Sequence, residues 1–288
     1  MTFPRSDFRF FERLRVRWAE VDMQQIVFNG HYLMYFDTAV AGYWRAMAMP
    51  YHETMSAFEG DFYVRHAALD YEGSARYDDG LAIGMRCARL GRTSMRLQGA
   101  VFRGEQRLVH GELVYVFADP ATQTARPIPE PLRAWFEAFE ARAPMVDVQV
   151  GDWAVLGVDA TRLRHEVFTL EQGIDAALDH DGADASAVHA VARNRVGLAL
   201  ATGRMIAAGP GRVKVGRMAV MASMRGSSVG RRVLEALVAA ARARGEREVM
   251  LHAQASAVGF YVRAGFVKHG APFEEAGIEH QEMLLALN

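Results

Sequence analysis

The apolar residues change period partway through the first half, and this change restricts the fold more than any other feature. Leu33, Phe36, Val40, Tyr43 and Met47 recur at three- and four-residue steps. That is the period of a helix over 31–47, and Pro50 closes the segment. The helix is apolar nearly all round, which predicts that other elements wrap it. From about 62 to 118 the period becomes two. Leu81, Ile83, Met85 and Cys87 alternate with smaller or polar residues. Met95, Leu97 and Val101 follow the turn signal Gly91-Arg92-Thr93, and Val109, Leu113, Tyr115 and Phe117 follow Arg103-Gly104-Glu105. Connections this short join antiparallel strands. Upstream, Leu14, Val16 and Trp18 alternate with Arg13, Arg15 and Arg17 and predict a strand over 12–19. Pro127, Pro129 and Pro131 lead into a short helix near 132–141. The expected unit is α+β: one strand, one long central helix, then a run of long antiparallel strands.

Residues 141–150 mark the expected boundary, giving domains 1–143 and 144–288, and no Gly/Ser linker separates them. A length of 288 residues suits two domains. The second half is predicted as a mixed α/β layer. A helical stretch begins near 160, polar residues fill 179–186, and strands fall at 187–193, 197–204, 216–222 and 247–253. A helix over 229–244 places Val229, Val233, Leu237 and Ala240 on one face and stops at Gly245. A short helix ends at Gly265.

Thirty-three basic residues against 34 acidic ones leave a net charge of −1, which excludes the electrostatic footprint of a nucleic-acid or anionic-membrane binder. Only Lys214 and Lys268 are lysines, read here as compositional bias. The single cysteine, Cys87, leaves no internal disulfide and fits a core filler. The ten histidines are scattered without metal-ligand spacing, so no metal is expected. No apolar run approaches about 18 residues and the N-terminus has no apolar signal region, so a cytoplasmic protein without an anchor is expected.

Chemistry first appears where Asp22 precedes the long helix, which begins near Asn29-Gly30. Helix starts carry unpaired N–H groups and partial positive charge. A thioester oxygen placed there meets donors as it becomes an oxyanion, each worth about 2.7–4 kcal/mol in hydrolases. A facing carboxylate can attack the carbonyl or activate water. On spacing alone Asp22 also fits a turn or cap, and Asn29 an N-cap. The run Asp22-Met23-Gln24-Gln25-Ile26-Val27-Phe28-Asn29-Gly30-His31-Tyr32-Leu33 resembles the active-site region of hotdog-fold acyl-CoA thioesterases of the 4-hydroxybenzoyl-CoA type. Their pattern is Asp-x-x-Gly-(Ile/Val)-Val-(aromatic)-x-x-x-Tyr-(Leu/Ile). The resemblance spans about 10–140. It implies a curved sheet around one helix, Asp22 as nucleophile or base, amides near Asn29 as oxyanion hole, and a pocket between two subunits of at least a homodimer. Gln25 replaces the family's Gly, either adopting its turn or projecting into the pocket. Gln24, Gln25 and His31 are polar pocket candidates, His31 mainly for structural hydrogen bonding. Glu20 is expected to be solvated.

The second signal is Arg225-Gly226-Ser227-Ser228-Val229-Gly230 between strand and helix, a run that by itself also fits a plain helix entry. It resembles motif A of the GCN5-related N-acetyltransferases (GNAT), (Gln/Arg)-x-x-Gly-x-(Gly/Ala), with Ser228 in place of the first Gly. Phe260-Tyr261-Val262-Arg263-Ala264-Gly265-Phe266 is similar to that family's Phe-Tyr-x-x-x-Gly-Phe block. Glu166-Val167-Phe168, Glu171-Gln172-Gly173 and Pro272–His280 resemble an ElaA-like subgroup, for a total span of about 152–287. The resemblance implies that acetyl-CoA binds along Val220, Arg225, Gly226, Ser227, Ser228, Val229, Gly230 and Arg231. Arg231 and Arg232 are candidates for CoA phosphates. Tyr261 is implied as the proton donor to the departing thiolate. Gln254 stands where many members have Asn. Glu171, Glu275 and His280 are the candidate bases, none singled out. The combined expectation is acyl-CoA hydrolysis in the first half and acetyl transfer to an unidentified amine in the second. The alternative is a thioesterase carrying a non-catalytic CoA-binding module.

Overall fold

The structure is a computed structural model that describes residues 4–179, 181–275 and 277–287. The chain divides into two compact units after Met145. In the first, β1 (Phe10–Arg15) precedes α1 (His31–Ala46), α2 (Tyr51–Ala57), β2 (Asp61–Tyr71), β3 (Gly80–Leu90), β4 (Ser94–Arg103), β5 (Gln106–Ala118) and α3 (Glu130–Glu140). The strands form one antiparallel sheet in the order β1-β3-β4-β5-β2. Tyr32, Tyr35, Phe36, Ala39, Val40 and Tyr43 of α1 are buried. Gly99 on β4 lets helix and sheet close, because a Cβ there would lie 2.0 Å from Cε1 of Phe36.

Three expectations for this unit need correction. The first strand ends at Arg15. Val16 N–H bonds Asp79 O, the chain turns, and Trp18 is 74% exposed against the edge of Tyr77. The long helix is not wrapped all round, since Leu33 and Met34 are bare in the single chain. Glu20 is buried rather than solvated. Cys87 is half-buried, and burial pushes its thiol up to about 12, which suits an inert filler.

The second unit runs β6 (Val146–Gly151), α4 (Trp153–Arg164), a π-helical turn (His165–Glu171), α5 (Ala176–Asp179), β7 (Val188–Asn194), β8 (Ala199–Ala207), β9 (Arg212–Val220), α6 (Val229–Ala243), β10 (Glu248–Gln254), α7 (Val258–Arg263), β11 (Val267–Glu275) and β12 (Ile278–Ala286). The sheet order is β11-β12-β10-β9-β8-β7-β6. Among the described residues only β9 and β10 pair in parallel, over Arg212–Lys214 against Glu248–Met250. Beyond Lys214 they part. Arg217 takes a left-handed φ of 52° where the register against β8 shifts, and the strand expected from 216 begins at Arg212, where it pairs with β8 and β10. The helical stretch expected near 160 begins at Trp153, where Asp152 Oδ1 accepts the Val155 N–H. Strand β6 occupies the expected boundary, and the hairpin β11–β12 was not foreseen. On α6 it is Ala241 that is buried, with Ala240 half-covered.

The expected polar stretch 179–186 hides an ion network. Arg164, 1% exposed, donates Nε to Asp179 (2.7 Å) and Nη1 to Asp184 (2.9 Å). Arg204 donates Nη1 to Asp184 (2.9 Å) and to Asp181 (2.7 Å). Hydrogen bonds from Arg204 hold Asp181 far below its ordinary 3.8. Burial works against charge on Asp184, and the two guanidiniums outweigh it. Depressed carboxylates contribute stability that is complete above the unfolded value and lost as pH falls through the folded one. The melting temperature of this unit should therefore drop steeply below about pH 4. Arg164→Ala leaves two buried carboxylates short of a partner and should cost about 3–5 kcal/mol in denaturant unfolding at neutral pH.

Candidate functional site

In the first unit, the segment from Arg17 to Tyr32 is built as a loop held at both ends. Glu20 accepts from Arg17 N (2.7 Å), Arg17 Nε (2.7 Å) and Tyr35 Oη (2.8 Å), and its carbonyl takes the Phe28 N–H (3.0 Å). Burial opposes its charge, but these hydrogen bonds prevail and lower its pKa. Between the clamps, Asp22 N–H bonds Ile26 O and Gln25 N–H bonds Asp22 O, both at 2.9 Å. Gln25 has φ 62°, so it adopts the left-handed turn that Gly takes in the pattern, and it is exposed. Asp22 is half-exposed, with Oδ1 accepting the Gln24 N–H (2.8 Å). The chain continues through Val27, whose N–H bonds Ala75 O, to an α1 start that no side chain caps. Among the described residues the N–H groups of Asn29 and Gly30 meet no acceptor. The Asn29 carbonyl takes the Tyr71 hydroxyl at 3.1 Å. His31 lies against Phe28 and Met34, with a structural rather than catalytic set of contacts. Met23, Phe28, Leu33 and Met34 leave an apolar surface around this loop. The chain's large cavity lies elsewhere, and Asp22 does not line it.

That cavity, of about 590 Å³, opens in the second unit where β9 and β10 part. Val215–Met218, His252, Gln254, Tyr261, Glu275 and His280 line it. Tyr261 is buried, burial pushes its hydroxyl up to about 12, and among the described residues the hydroxyl has no hydrogen bond. Gln254 donates to Gln172 across the opening (3.2 Å).

The loop from β9 to α6 turns through Ala222–Met224. Gly226 has φ 82° and Ser228 φ 67°, so Ser228 carries the left-handed strain that the pattern's Gly avoids. Ser227 Oγ donates back to Met224 O (2.5 Å), and no side chain caps α6. Among the described residues the N–H groups of Gly226, Ser228, Val229, Gly230 and Arg231 meet no acceptor, which makes an anion cradle. Gly230 packs under Val220, where a Cβ would lie 2.8 Å from Val220 Cγ2.

Other proposed groups are committed elsewhere. Arg225 forms a two-pronged pair with Glu171, both bonds 2.6 Å, which lowers the pKa of Glu171 and removes it as a base. Arg231 lies along α6 against Glu235 (2.7 Å), and Arg232 is exposed. Glu275 accepts from His252 Nδ1 (2.8 Å), and Lys214 Nζ lies 3.1 Å from the same nitrogen. Of this cluster the sequence points to Glu275 as a candidate base and leaves out His252 and Lys214. For Lys214 the one signal was the rarity of lysine.

Residues 24–110 match the thioesterase superfamily, a span beginning just after Asp22, and residues 159–287 match the acetyltransferase (GNAT) domain. Over 125 residues the chain is 32% identical to the UPF0039 protein sll0451 of Synechocystis sp., covering 42% of this chain and 80% of that protein. Over 132 residues it is 33% identical to the uncharacterized N-acetyltransferase YjcF of Bacillus subtilis, covering 44% and 89%. A Thermus thermophilus thioesterase solved with coenzyme A and zinc is 25% identical over 47% of this chain and 98% of that one, with a TM-score of 0.41. Among the described residues, no group of three or more His, Cys, Asp or Glu is placed to hold a metal ion.

Glu20→Ala removes the carboxylate that joins Arg17 to Tyr35. The expected loss in denaturant unfolding is about 3 kcal/mol, with Asp22→Asn costing less than about 1 kcal/mol as an exposed polar change.

Proposed function

Starting from a chain that belongs to the thioesterase superfamily through its first unit and to the GNAT acetyltransferases through its second, we propose a two-domain enzyme acting on coenzyme A thioesters. The first unit hydrolyses an acyl-CoA. The observation that carries this reading is a carboxylate, Asp22, held in a turn seven residues ahead of two N–H groups that meet no acceptor among the described residues, those of Asn29 and Gly30. Asp22 takes a proton from water or attacks the carbonyl carbon itself. The oxygen gains charge against the two amides, the C–S bond breaks, and the thiolate takes the proton that Asp22 drew from water; where Asp22 itself attacks, water then splits the acyl–Asp22 anhydride to release the acid and supplies the thiol proton.

A second copy of the chain completes this site. The bare Leu33 and Met34 on α1 and the bare stretch Val64–Ala68 of the edge strand β2 support that reading.

The second unit transfers acetyl from acetyl-CoA to an amine. The diphosphate rests on the amides of Gly226 and Ser228–Arg231, and the thioester reaches the cavity along β9. The amine nitrogen attacks the acetyl carbon, C–N forms, C–S breaks, Tyr261 gives its proton to sulfur, and the nitrogen's surplus proton returns to the tyrosinate. A hydroxyl pushed up to about 12 is protonated at neutral pH and so available as a donor. Its place in the cavity favours turnover over a merely CoA-holding module.

Asp22→Asn should reduce thiol release from a panel of acyl-CoAs at least about 1,000-fold with the fold intact by circular dichroism. Wild-type turnover in that variant removes Asp22 from the reaction. Sedimentation should give a dimer or larger, dissociated by Met34→Glu. Tyr261→Phe should lower acetyl transfer about 100-fold without changing acetyl-CoA affinity in calorimetry.

A further inference from the structure

Acetyl transfer needs a neutral amine, and amines arrive protonated at neutral pH. A base inside the cavity is therefore required. Glu171 is tied to Arg225. Glu275 is itself engaged: burial disfavours its charge, but the hydrogen bond from His252 and nearby Lys214 hold its pKa down.

The register of the sheet brings a different group forward. His252 on β10 lies directly opposite Glu282 on β12, and Glu282 lies opposite His269 on β11. Opposed residues share a face, so the three form a row across the strands, with Lys214 of β9 at its inner end. Nδ1 of His252 is 2.8 Å from Glu275 Oε2. With the ring proton on Nδ1 facing this carboxylate, the lone pair lies on Nε2, the tautomer in which Lys214 Nζ, 3.1 Å from the same Nδ1, serves Glu275 by charge and does not donate to the ring. Nε2 is 3.9 Å from Glu282 Oε2, beyond hydrogen-bond reach, and among the described residues it has no hydrogen bond. Phe273 packs edge-on against the imidazole, its centroid 4.8 Å away, and fixes the ring plane. His252 thus combines an oriented ring, a carboxylate behind it and an unused nitrogen in a cavity wall that also carries Tyr261.

We propose that His252 is the catalytic base of the second unit and Glu275 its positioning residue. This rests on the acetyl-transfer reading of the same cavity. Nε2 takes one proton from the alkylammonium, and the freed nitrogen pair attacks the acetyl carbon. As C–S breaks, sulfur takes the Tyr261 proton, and the tetrahedral nitrogen's surplus proton returns to the tyrosinate. One proton per turnover remains on His252 and leaves to solvent. Glu282, whose other oxygen is 2.7 Å from His269 Nδ1, stands between the ring and an exposed histidine. The acceptor is accordingly an amine that arrives as its cation.

The test uses the full chain, acetyl-CoA and a panel of primary amines, with thiol release followed across pH and acetyl-CoA binding measured by calorimetry. The charged groups around the ring are Lys214 from β9, Glu275 from β11, and His280 and Glu282 from β12. His252→Gln should bind acetyl-CoA as wild type does, lose at least about 100-fold in kcat, and lose the rise of rate with pH. His252→Ala should recover part of its rate when imidazole is added. Glu275→Gln should shift the pH profile and lower kcat about tenfold at unchanged acetyl-CoA affinity. Wild-type transfer by His252→Gln overturns the assignment and leaves acetyl transfer standing. Failure of the wild-type chain to bind acetyl-CoA, or to acetylate any amine while binding it, overturns both.

Discussion

The first amides of a helix have no partner within the helix, and everything chemical in this chain is arranged around that deficit. At α1 and α6 the usual remedy, a Ser, Thr, Asp or Asn side chain folded back on the amides, is absent. At α1 the preceding residue is Gly30. At α6 it is Ser228, whose left-handed backbone gives no side-chain cap. Contrast α4, where the Asp152 side chain folds back to accept the Val155 N–H. The two open starts sit beside groups that have no structural need to be there: a half-exposed carboxylate in one case, a cavity with a buried tyrosine in the other.

What surrounds each opening is correspondingly firm. Glu20 is locked by Arg17 and Tyr35 so that the Asp22 turn has fixed ends. In the second unit, the Arg164 and Arg204 network pins the segment that carries Asp181 along the cavity wall. Such networks are expensive to bury and severe to break. Their placement next to open backbone donors trades apolar packing for a defined shape. The parting of β9 and β10 beyond Lys214 leaves the room in which the cavity opens, and the bulge of β9 against β8 falls on the same wall at Arg217.

The elements most legible in sequence were those whose period matched their burial. β5 and α6 place apolar residues in step with the face they cover, while β3, β4 and α1 were legible from their apolar spacing even though β3 and β4 are buried on successive residues. β11 escaped because it is exposed along almost its whole length, so no alternation marks it. β6 carries the alternation Val146, Val148, Val150, but Pro144 just before it and the change of character there read as a boundary. Leu33 and Met34 look like core from composition, and only coordinates reveal that one chain leaves them bare. Asp22 and the Arg225 loop were recognisable because their residues are contiguous. His252, Glu275 and Lys214 are not. They meet through the register of three strands, and a lysine read as compositional bias turns out to face a cavity. Glu20 was misjudged for a related reason, since its partners Arg17 and Tyr35 meet it only once the loop is closed.

The pairing of Arg225 with Glu171 changes what the α6 loop presents to its surroundings. A guanidinium already neutralised by a carboxylate exerts little pull across solvent. The seating of an anion there falls to dipoles of short range, while the exposed guanidinium of Arg232 remains to draw it in. Selectivity is then exercised after encounter, by the fit of oxygens to backbone hydrogens rather than by attraction from afar.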